Sequence, residues 1–510
     1  DNSLCILCGR CVRICEEVRG ACVLTFVGRG SESVVGTAMD RRLLDSGCQY
    51  CGACVDVCPT GSLSERAVRY ERLPETELAA ICAFCGQGCG LKVGTRGGRV
   101  IGAVPDREGA VNRGQACVRG RFLVKFAVDH PDRIRRPMIR RNGLLEETTW
   151  EEALATAAER LAAPGPGDFA AFSSGQISCE DLFVLHKFVD AALGPGRIDG
   201  PWAGSAAAEL KEIFRAKGTA ASLNFRIDDV GEAKTIVLIG EDVAVTQPIV
   251  GVAINQASRK GAEIVVLGPE SGPSDLKLEV VKPALILFGP ELLGARGGRS
   301  RLKRILDKAV AFGGRVIAMD RESNIRGGLE ISAAFSSGTK PRRDPRALYI
   351  AGGYPKIERG AAEIVIVQGS YMDENASSAD IVFPETTSFE ADGTFINVEG
   401  RAQLSRQAAE PRAEARPGWA IVAGLAAKMG RAGFGYSSAA DVREEIARTV
   451  PSLSGLAAGE FPAEGVFVAE KAAPEKPAAG HDAPVPRGVD DYKGLDMART
   501  NKSLRLIRGR

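Results

Sequence analysis

From Trp150 onward the chain carries short, almost uninterrupted apolar runs, most of which close on glycine or a turn residue. They are Phe169–Phe172, Thr235–Ile239, Glu263–Leu267, Ala284–Phe288, Arg315–Met319, Ala347–Ile350, Glu363–Val367 and Asp380–Phe383. Runs that do not alternate with polar residues predict strands buried on both faces, as in a parallel sheet covered by helices. Helical stretches lie between several of them. Glu151–Ala163 is rich in Ala, Leu and Glu and stops at Pro164-Gly165. Val250–Lys260 follows a glycine-terminated strand, and Arg299–Phe312 precedes Gly313-Gly314. The alternation predicts a doubly wound, mainly parallel α/β body over residues 146–430, with cofactor loops at the carboxyl ends of its strands.

The texture before and after that body is different. Residues 1–72 are rich in Cys and Gly, with short apolar pieces such as Val23–Val27, and read as a ferredoxin-like unit. Residues 73–145 form a second Cys-bearing unit that ends in an Arg-rich stretch. Residues 431–510 are expected to be irregular, since Ala457–Gly488 is rich in Ala, Pro and Gly. At the end, Arg499, Lys502, Arg505, Arg508 and Arg510 flank Leu504, Leu506 and Ile507. That combination suits either a docking element or a solvated basic tail.

Composition narrows the partners. The 510 residues hold 66 Lys and Arg against 64 Asp and Glu, a net charge of +2, so no long-range field draws in nucleic acid or an anionic membrane. No apolar run reaches the roughly 18 residues of a membrane span. Residue 1 is Asp, which suggests a natural start further upstream. Of the 14 cysteines, all but Cys179 lie within the first 117 residues. Tight Cys-x-x-Cys spacings at the head of a long chain point to metal in a reducing, cytoplasmic setting rather than to disulfides. Histidine is confined to His130, His186 and His481, which argues against mixed Cys/His zinc sites and histidine-based catalysis.

Cys5, Cys8, Cys11 and Cys15 are spaced C-x2-C-x2-C-x3-C, and Cys48, Cys51, Cys54 and Cys58 repeat the pattern before Pro59. This is the spacing of two-cluster bacterial ferredoxins, in which the fourth cysteine of each run reaches the other cluster. Cys5, Cys8, Cys11 and Cys58 are thus assigned to one [4Fe–4S] cluster, and Cys48, Cys51, Cys54 and Cys15 to another. A pair of zinc knuckles is the plainer alternative. Cys82, Cys85, Cys89 and Cys117 form a third set, with Gly86-Gln87-Gly88 giving backbone room. Cys22 and Cys179 are read as packing residues.

Residues 1–63 resemble the ferredoxin segment of NAD-linked formate dehydrogenase alpha subunits, with related segments in iron-only hydrogenases. Residues 82–143 resemble the cluster domain that opens the molybdopterin oxidoreductase superfamily, through Asn112-Arg113-Gly114, Cys117-Val118-Arg119-Gly120-Arg121-Phe122 and His130-Pro131-Asp132-Arg133. The body carries Ala379–Pro384 and Glu390–Arg401, which look like superfamily motifs. The overall layout is similar to the large, G-type iron–sulfur subunit of respiratory complex I.

The departures from the superfamily pattern carry the functional expectation. Continuing the match from Leu193–Asp199 puts Ser205 and Ala206 where formate dehydrogenases have a selenocysteine or cysteine metal ligand and a histidine. Serine ligates molybdenum in other branches, so this position alone leaves two readings. The loop after Glu263–Leu267 has Glu270 where active relatives have an arginine toward a nucleotide phosphate, an adverse exchange of charge. Arg119 stands where active members place a lysine between cluster and pterin, which makes it the one cofactor-binding residue besides the cysteines. No candidate for a closing terminal domain follows.

The resemblance therefore implies three [4Fe–4S] clusters, no molybdopterin and no catalytic residues. It also implies a [2Fe–2S] domain in a segment before residue 1. The expected role is an electron-relay and scaffold subunit of an NAD(H)-linked complex, at most peripheral to a membrane. Its expected partners are a flavin/NADH-binding iron–sulfur subunit and a further redox subunit. The rival readings are a catalytic molybdenum or tungsten formate dehydrogenase and a structural subunit whose clusters carry no electrons.

Overall fold

The computed structural model describes residues 1–66, 73–162, 168–193, 198–216, 224–240, 243–271, 284–311, 314–335, 345–457 and 461–469. The basic segment 499–510 and the loop 194–197 lie outside the described residues.

The strands expected from apolar runs form two sheets rather than one. A seven-stranded sheet runs in the order 144–147, 138–141, 381–384, 364–369, 347–351, 169–173, 198–199. Its five strands from the body pair in parallel. The hairpin 138–147 adds an antiparallel edge and turns at Asn142-Gly143, both at positive φ (50° and 85°). Asn-Gly suits such a turn because both residues enter the left-handed region at low cost. A second, four-stranded parallel sheet has the order 263–267, 235–239, 284–288, 315–318. The strands Thr235–Ile239, Ala284–Phe288 and Ala347–Ala351 are buried at every position, as continuous apolar runs demand.

The mainly parallel α/β body holds two parallel sheets, each with its own helices and its own apolar core. Helices Trp150–Ala162, Pro248–Arg259 and Gly298–Ala311 fall within two residues of their expected places.

Residues 431–457 carry more regular structure than expected, while 458–460 and 470–510 lie outside the described residues. Ala439–Thr449 is a helix whose Val442 and Ile446 are fully buried in the main core. Ser438 opens it with a reciprocal capping box, its hydroxyl accepting from the Asp441 N–H while the Asp441 carboxylate accepts from the Ser438 N–H. The capping pair and the apolar spacing at 442 and 446 were present in the sequence but overshadowed by the Ala/Pro/Gly-rich stretch that follows.

In front of the body, strands Thr76–Ile81, Gly90–Arg96 and Arg99–Pro105 make an antiparallel sheet backed by helix Val118–Val128. The N-terminal unit is built on an antiparallel ribbon, Leu24–Val27 with Val34–Thr37. It rests on helix Pro248–Arg259, where Asn255 and Gln256 donate side-chain hydrogen bonds to the carbonyls of Val18 and Glu17.

Candidate iron–sulfur sites

The two cysteine runs of the N-terminal unit fold alike. Gly9 and Gly52 both sit in the left-handed region (φ 72° and 73°), each directly before a one-turn helix, Arg10–Arg13 and Ala53–Asp56. Glycine takes that conformation without strain, so the chain can reverse inside each Cys-x-x-Cys-x-x-Cys loop. Burial pushes the Cys11 thiol up, and the nearby Cys5 and Cys8 push it further. Burial likewise raises Cys54 to about 12, with Cys51, Cys48, Cys15 and Cys11 adding to it. Cys48 is raised by burial and then by Cys51 and Cys15. Cys15 and Cys11 of the first run thus both lie near enough to the second run to act on its thiols.

Cys58 behaves differently. Burial is the largest single influence and pushes it up, but hydrogen bonds from the Leu63, Thr60 and Ser62 backbone and the Thr60 hydroxyl together outweigh it and bring the thiol down to about 7. The segment after it is tied to the segment before Cys5. The Ser62 hydroxyl donates to the Asp1 carbonyl at 2.8 Å.

The third set is more deeply enclosed. Cys82 follows one strand and Cys89 precedes the next, and the Cys82 N–H donates to the Cys89 carbonyl at 2.9 Å. Cys117 precedes helix Val118–Val128. Burial raises Cys82, Cys85 and Cys89, and their thiols reinforce one another. Cys117 is the exception: the Arg119 guanidinium and the N–H groups of Arg119 and Gly120 overcome burial and lower it. Arg119 also donates to the Thr246 carbonyl at 2.6 Å, so it ties the cluster loop to the turn before helix Pro248–Arg259. The loop between Cys85 and Cys89 is clamped from three sides. Gly86 N–H donates to the Arg321 carbonyl, Val398 N–H donates to the Gly86 carbonyl, and the Asn397 amide donates to the Gln87 carbonyl. A Cβ on Gly86 would lie 2.4 Å from the Asp320 carbonyl, which explains the glycine.

Among the described residues no three or more His, Cys, Asp or Glu side chains close on one point as a single metal ion would require. A four-iron cubane is bonded at separate corners by four thiolates, which is the number and kind of donor that each cysteine set offers. The thiol chemistry also fits: groups whose pKa is raised by burial and by each other ionise when iron supplies the opposing charge.

Ser205, by contrast, is occupied as a helix cap. It is buried, and its hydroxyl accepts from the Ala208 N–H at 3.1 Å at the start of helix Ala206–Ala216. The N–H groups of Ala206 and Ala207 donate to the two carboxylate oxygens of Asp320, at 2.8 and 3.0 Å. Burial raises that carboxyl to about 6. Asp320 escaped notice in the sequence, though a lone acid directly after the apolar run Arg315–Met319 was its signal. Glu270 lies three residues after strand Glu263–Leu267, largely exposed, and pairs with Arg301 at 3.2 Å. Cys179 is buried and donates to Asn324, as a packing residue should. Cys22 does not pack: it is exposed, with φ at +52°, because the chain turns there to let Val23 N–H reach the Cys15 sulfur.

Comparison with known proteins agrees with this arrangement. Residues 133–282 and 324–428 match the molybdopterin oxidoreductase family, and residues 75–129 match the molybdopterin oxidoreductase Fe4S4 domain. Residues 1–64 match the ferredoxin-like domain of NADH-quinone oxidoreductase subunit 3. A G-type subunit of NADH-quinone oxidoreductase from Rhizobium meliloti is 28% identical, across 94% of this chain and 68% of that protein. The NADPH-Fe(3+) oxidoreductase alpha subunit of Geobacter sulfurreducens is 24% identical, across 89% and 68%. The F420-dependent formate dehydrogenase alpha subunit of Methanocaldococcus jannaschii is 25% identical, across 76% and 75%. Among solved structures, acetylene hydratase from Pelobacter acetylenicus superposes with a TM-score of 0.52 at 12% identity, over 74% of this chain and 72% of that one, a likeness of fold. No helix among the described residues is long and apolar enough to cross a membrane. With two parallel sheets behind a buried thiol set and a ferredoxin-like unit in front, the chain belongs to the molybdopterin oxidoreductase family.

Proposed function

We propose that this chain is an electron-relay and scaffold subunit of a multi-subunit NAD(H)-linked oxidoreductase, and that it works without molybdopterin. Its twelve cysteines in three sets would hold three [4Fe–4S] clusters, which supply one-electron transfer when bound. The residues around them do the rest. They bury the thiolates, aim backbone N–H groups at Cys48 and Cys85, and bring the Arg119 charge close to Cys117. Burial, such hydrogen bonds and local charge are the means by which a protein sets cluster potentials.

The observation that carries the reading is the helix start at 205–207. Ser205 Oγ is engaged as a cap, the next position is Ala206, and the freed N–H donors are already bound to Asp320. No thiolate or imidazole is offered there. These residues do not fit a molybdenum ligand set, and no step is routed through one. We expect a flavin/NADH-binding subunit and a further redox subunit as partners, a reading supported by relatives that are themselves named as subunits of oxidoreductases. Purified protein is expected to contain about twelve irons per chain and neither molybdenum, tungsten nor extractable pterin. It should not reduce dye with formate. Stoichiometric pterin with formate turnover would falsify this reading in favour of a formate dehydrogenase.

The ligand crossing inside the N-terminal unit has its own test. Cys58→Ala is expected to damage the cluster of Cys5, Cys8 and Cys11 and to leave that of Cys48, Cys51 and Cys54. Loss of the second cluster's paramagnetic signal with the first intact shows that the ligands are not crossed.

A further inference from the structure

We infer that Arg121 is a positioning residue that locks the second ferredoxin-type cluster site to the third cluster site and sets how well an electron passes between them. The inference rests on the relay reading and adds a residue to it.

Arg121 lies four positions after Cys117, in the helix that this cysteine opens, and its own N–H donates to the Cys117 carbonyl at 3.0 Å. Its side chain leaves that unit altogether. Nη2 pairs with Asp56 at 2.8 Å, and Nε donates to the Glu65 carboxylate. Asp56 lies two residues after Cys54, in the one-turn helix of the second cysteine run. The guanidinium is 4% exposed, and the two carboxylates are 22% and 7% exposed. The ion pair is thus taken out of water at the seam between the two units.

Space at this seam is reserved for that side chain. A Cβ on Gly52, between Cys51 and Cys54, would fall 2.9 Å from Arg121 Nε and 3.2 Å from its Cγ. One arginine therefore touches the loop of one cluster site while its backbone belongs to the other. Two carboxylates hold one guanidinium, and Nη1 is buried with no hydrogen-bond partner. Of these three charged groups only the guanidinium is positive, so its loss would leave two largely buried carboxylates unopposed at the seam. Lysine cannot reproduce the two-armed grip, since its ammonium is a point charge on a flexible stem.

The step concerned is a one-electron exchange. With clusters bound at both sites, one electron would leave one of them and arrive at the other, with no bond formed or broken. Its rate depends on cluster separation, which the Asp56–Arg121–Glu65 grip fixes. Its driving force would depend on local charge, which Arg121 makes less negative by offsetting one of the two carboxylates.

The test uses the full chain with its clusters. Arg121→Met and Arg121→Lys are compared with the unmodified protein by iron content, by low-temperature EPR during potentiometric titration, and by electron redistribution after photoreduction with a deazaflavin. In Arg121→Met protein with full iron, we expect weaker spin coupling between the second and third clusters. We also expect slower redistribution and a lower reduction potential at one of the two. Arg121→Lys should restore the potential but not the coupling. Unchanged coupling, rate and potential in fully loaded Arg121→Met protein overturn the inference. Where Arg121→Met does not hold its clusters, Glu65→Gln decides, since it removes one arm and leaves Asp56: weakened coupling supports the grip, and unchanged coupling overturns it. Absence of the three cluster signals from unmodified protein sinks the relay reading itself, a result distinct from either.

Discussion

Replacing Cys89 with Ala is expected to empty the third cluster site: iron should fall from about twelve to about eight per chain. Cys89 is fully enclosed, and burial together with Cys82, Cys85 and Cys117 holds its thiol well above the ordinary range. Without one corner ligand, the remaining thiols have less iron charge to oppose their repulsion and return to the neutral form. The damage should not stop there. The Gly86-Gln87-Gly88 loop connects to residues 321, 397 and 398 and to Ile249, whose N–H donates to the Gln87 side chain. Metal-binding free energy is folding free energy in such sites, so the melting temperature should drop along with the iron. Iron analysis with EPR checks the first effect and calorimetry the second. Twelve irons retained in Cys89→Ala protein count against this ligand assignment.

The second large effect is expected at Arg133. Its guanidinium is 1% exposed and pairs at 2.7 Å with Glu390, which is fully buried. The same carboxylate accepts from the Thr387 N–H and hydroxyl and from the Arg412 N–H. Arg133→Met leaves that charge buried without its counter-ion, a loss of about 3–5 kcal/mol. A matching fall in the urea midpoint, at unchanged slope, is the expected result. Adding Glu390→Gln should recover part of the loss, because the two changes remove one shared interaction. Strictly additive losses in the double variant overturn the claim that the pair acts as a unit.

That pair also shows how far the sequence could be read. His130–Arg133 and Glu390–Arg401 were recognisable as separate motifs, and in the structure they meet across 257 positions. The second motif is largely structural. Thr394 donates through its N–H and hydroxyl to the buried Glu180, and Asn397 accepts from the N–H groups of Glu399 and Arg401. Strand positions were legible because burial on both faces leaves continuous apolar runs. Thiol spacing was legible because a cluster constrains neighbours along the chain. The division into two sheets was not, since pairing between distant strands leaves no local pattern. Arg121 with Asp56 and Glu65, and Asp320 with the Ala206 helix, were hidden for the same reason: each joins residues more than 50 positions apart.

The Asp320 carboxylate at the Ala206 helix has a consequence for any soluble anion. The N–H groups that would receive it are held by a competitor attached to the same chain. Even a short flexible tether presents its group at roughly millimolar effective concentration, and the Asp320 side chain has far less freedom than that. A phosphate arriving from solution must outcompete a partner that never diffuses away. It must also place its charge beside a displaced carboxylate that still has to find water. Acidification relieves that competition, since Asp320 takes up a proton as the pH falls through about 6 and lets go of one donor.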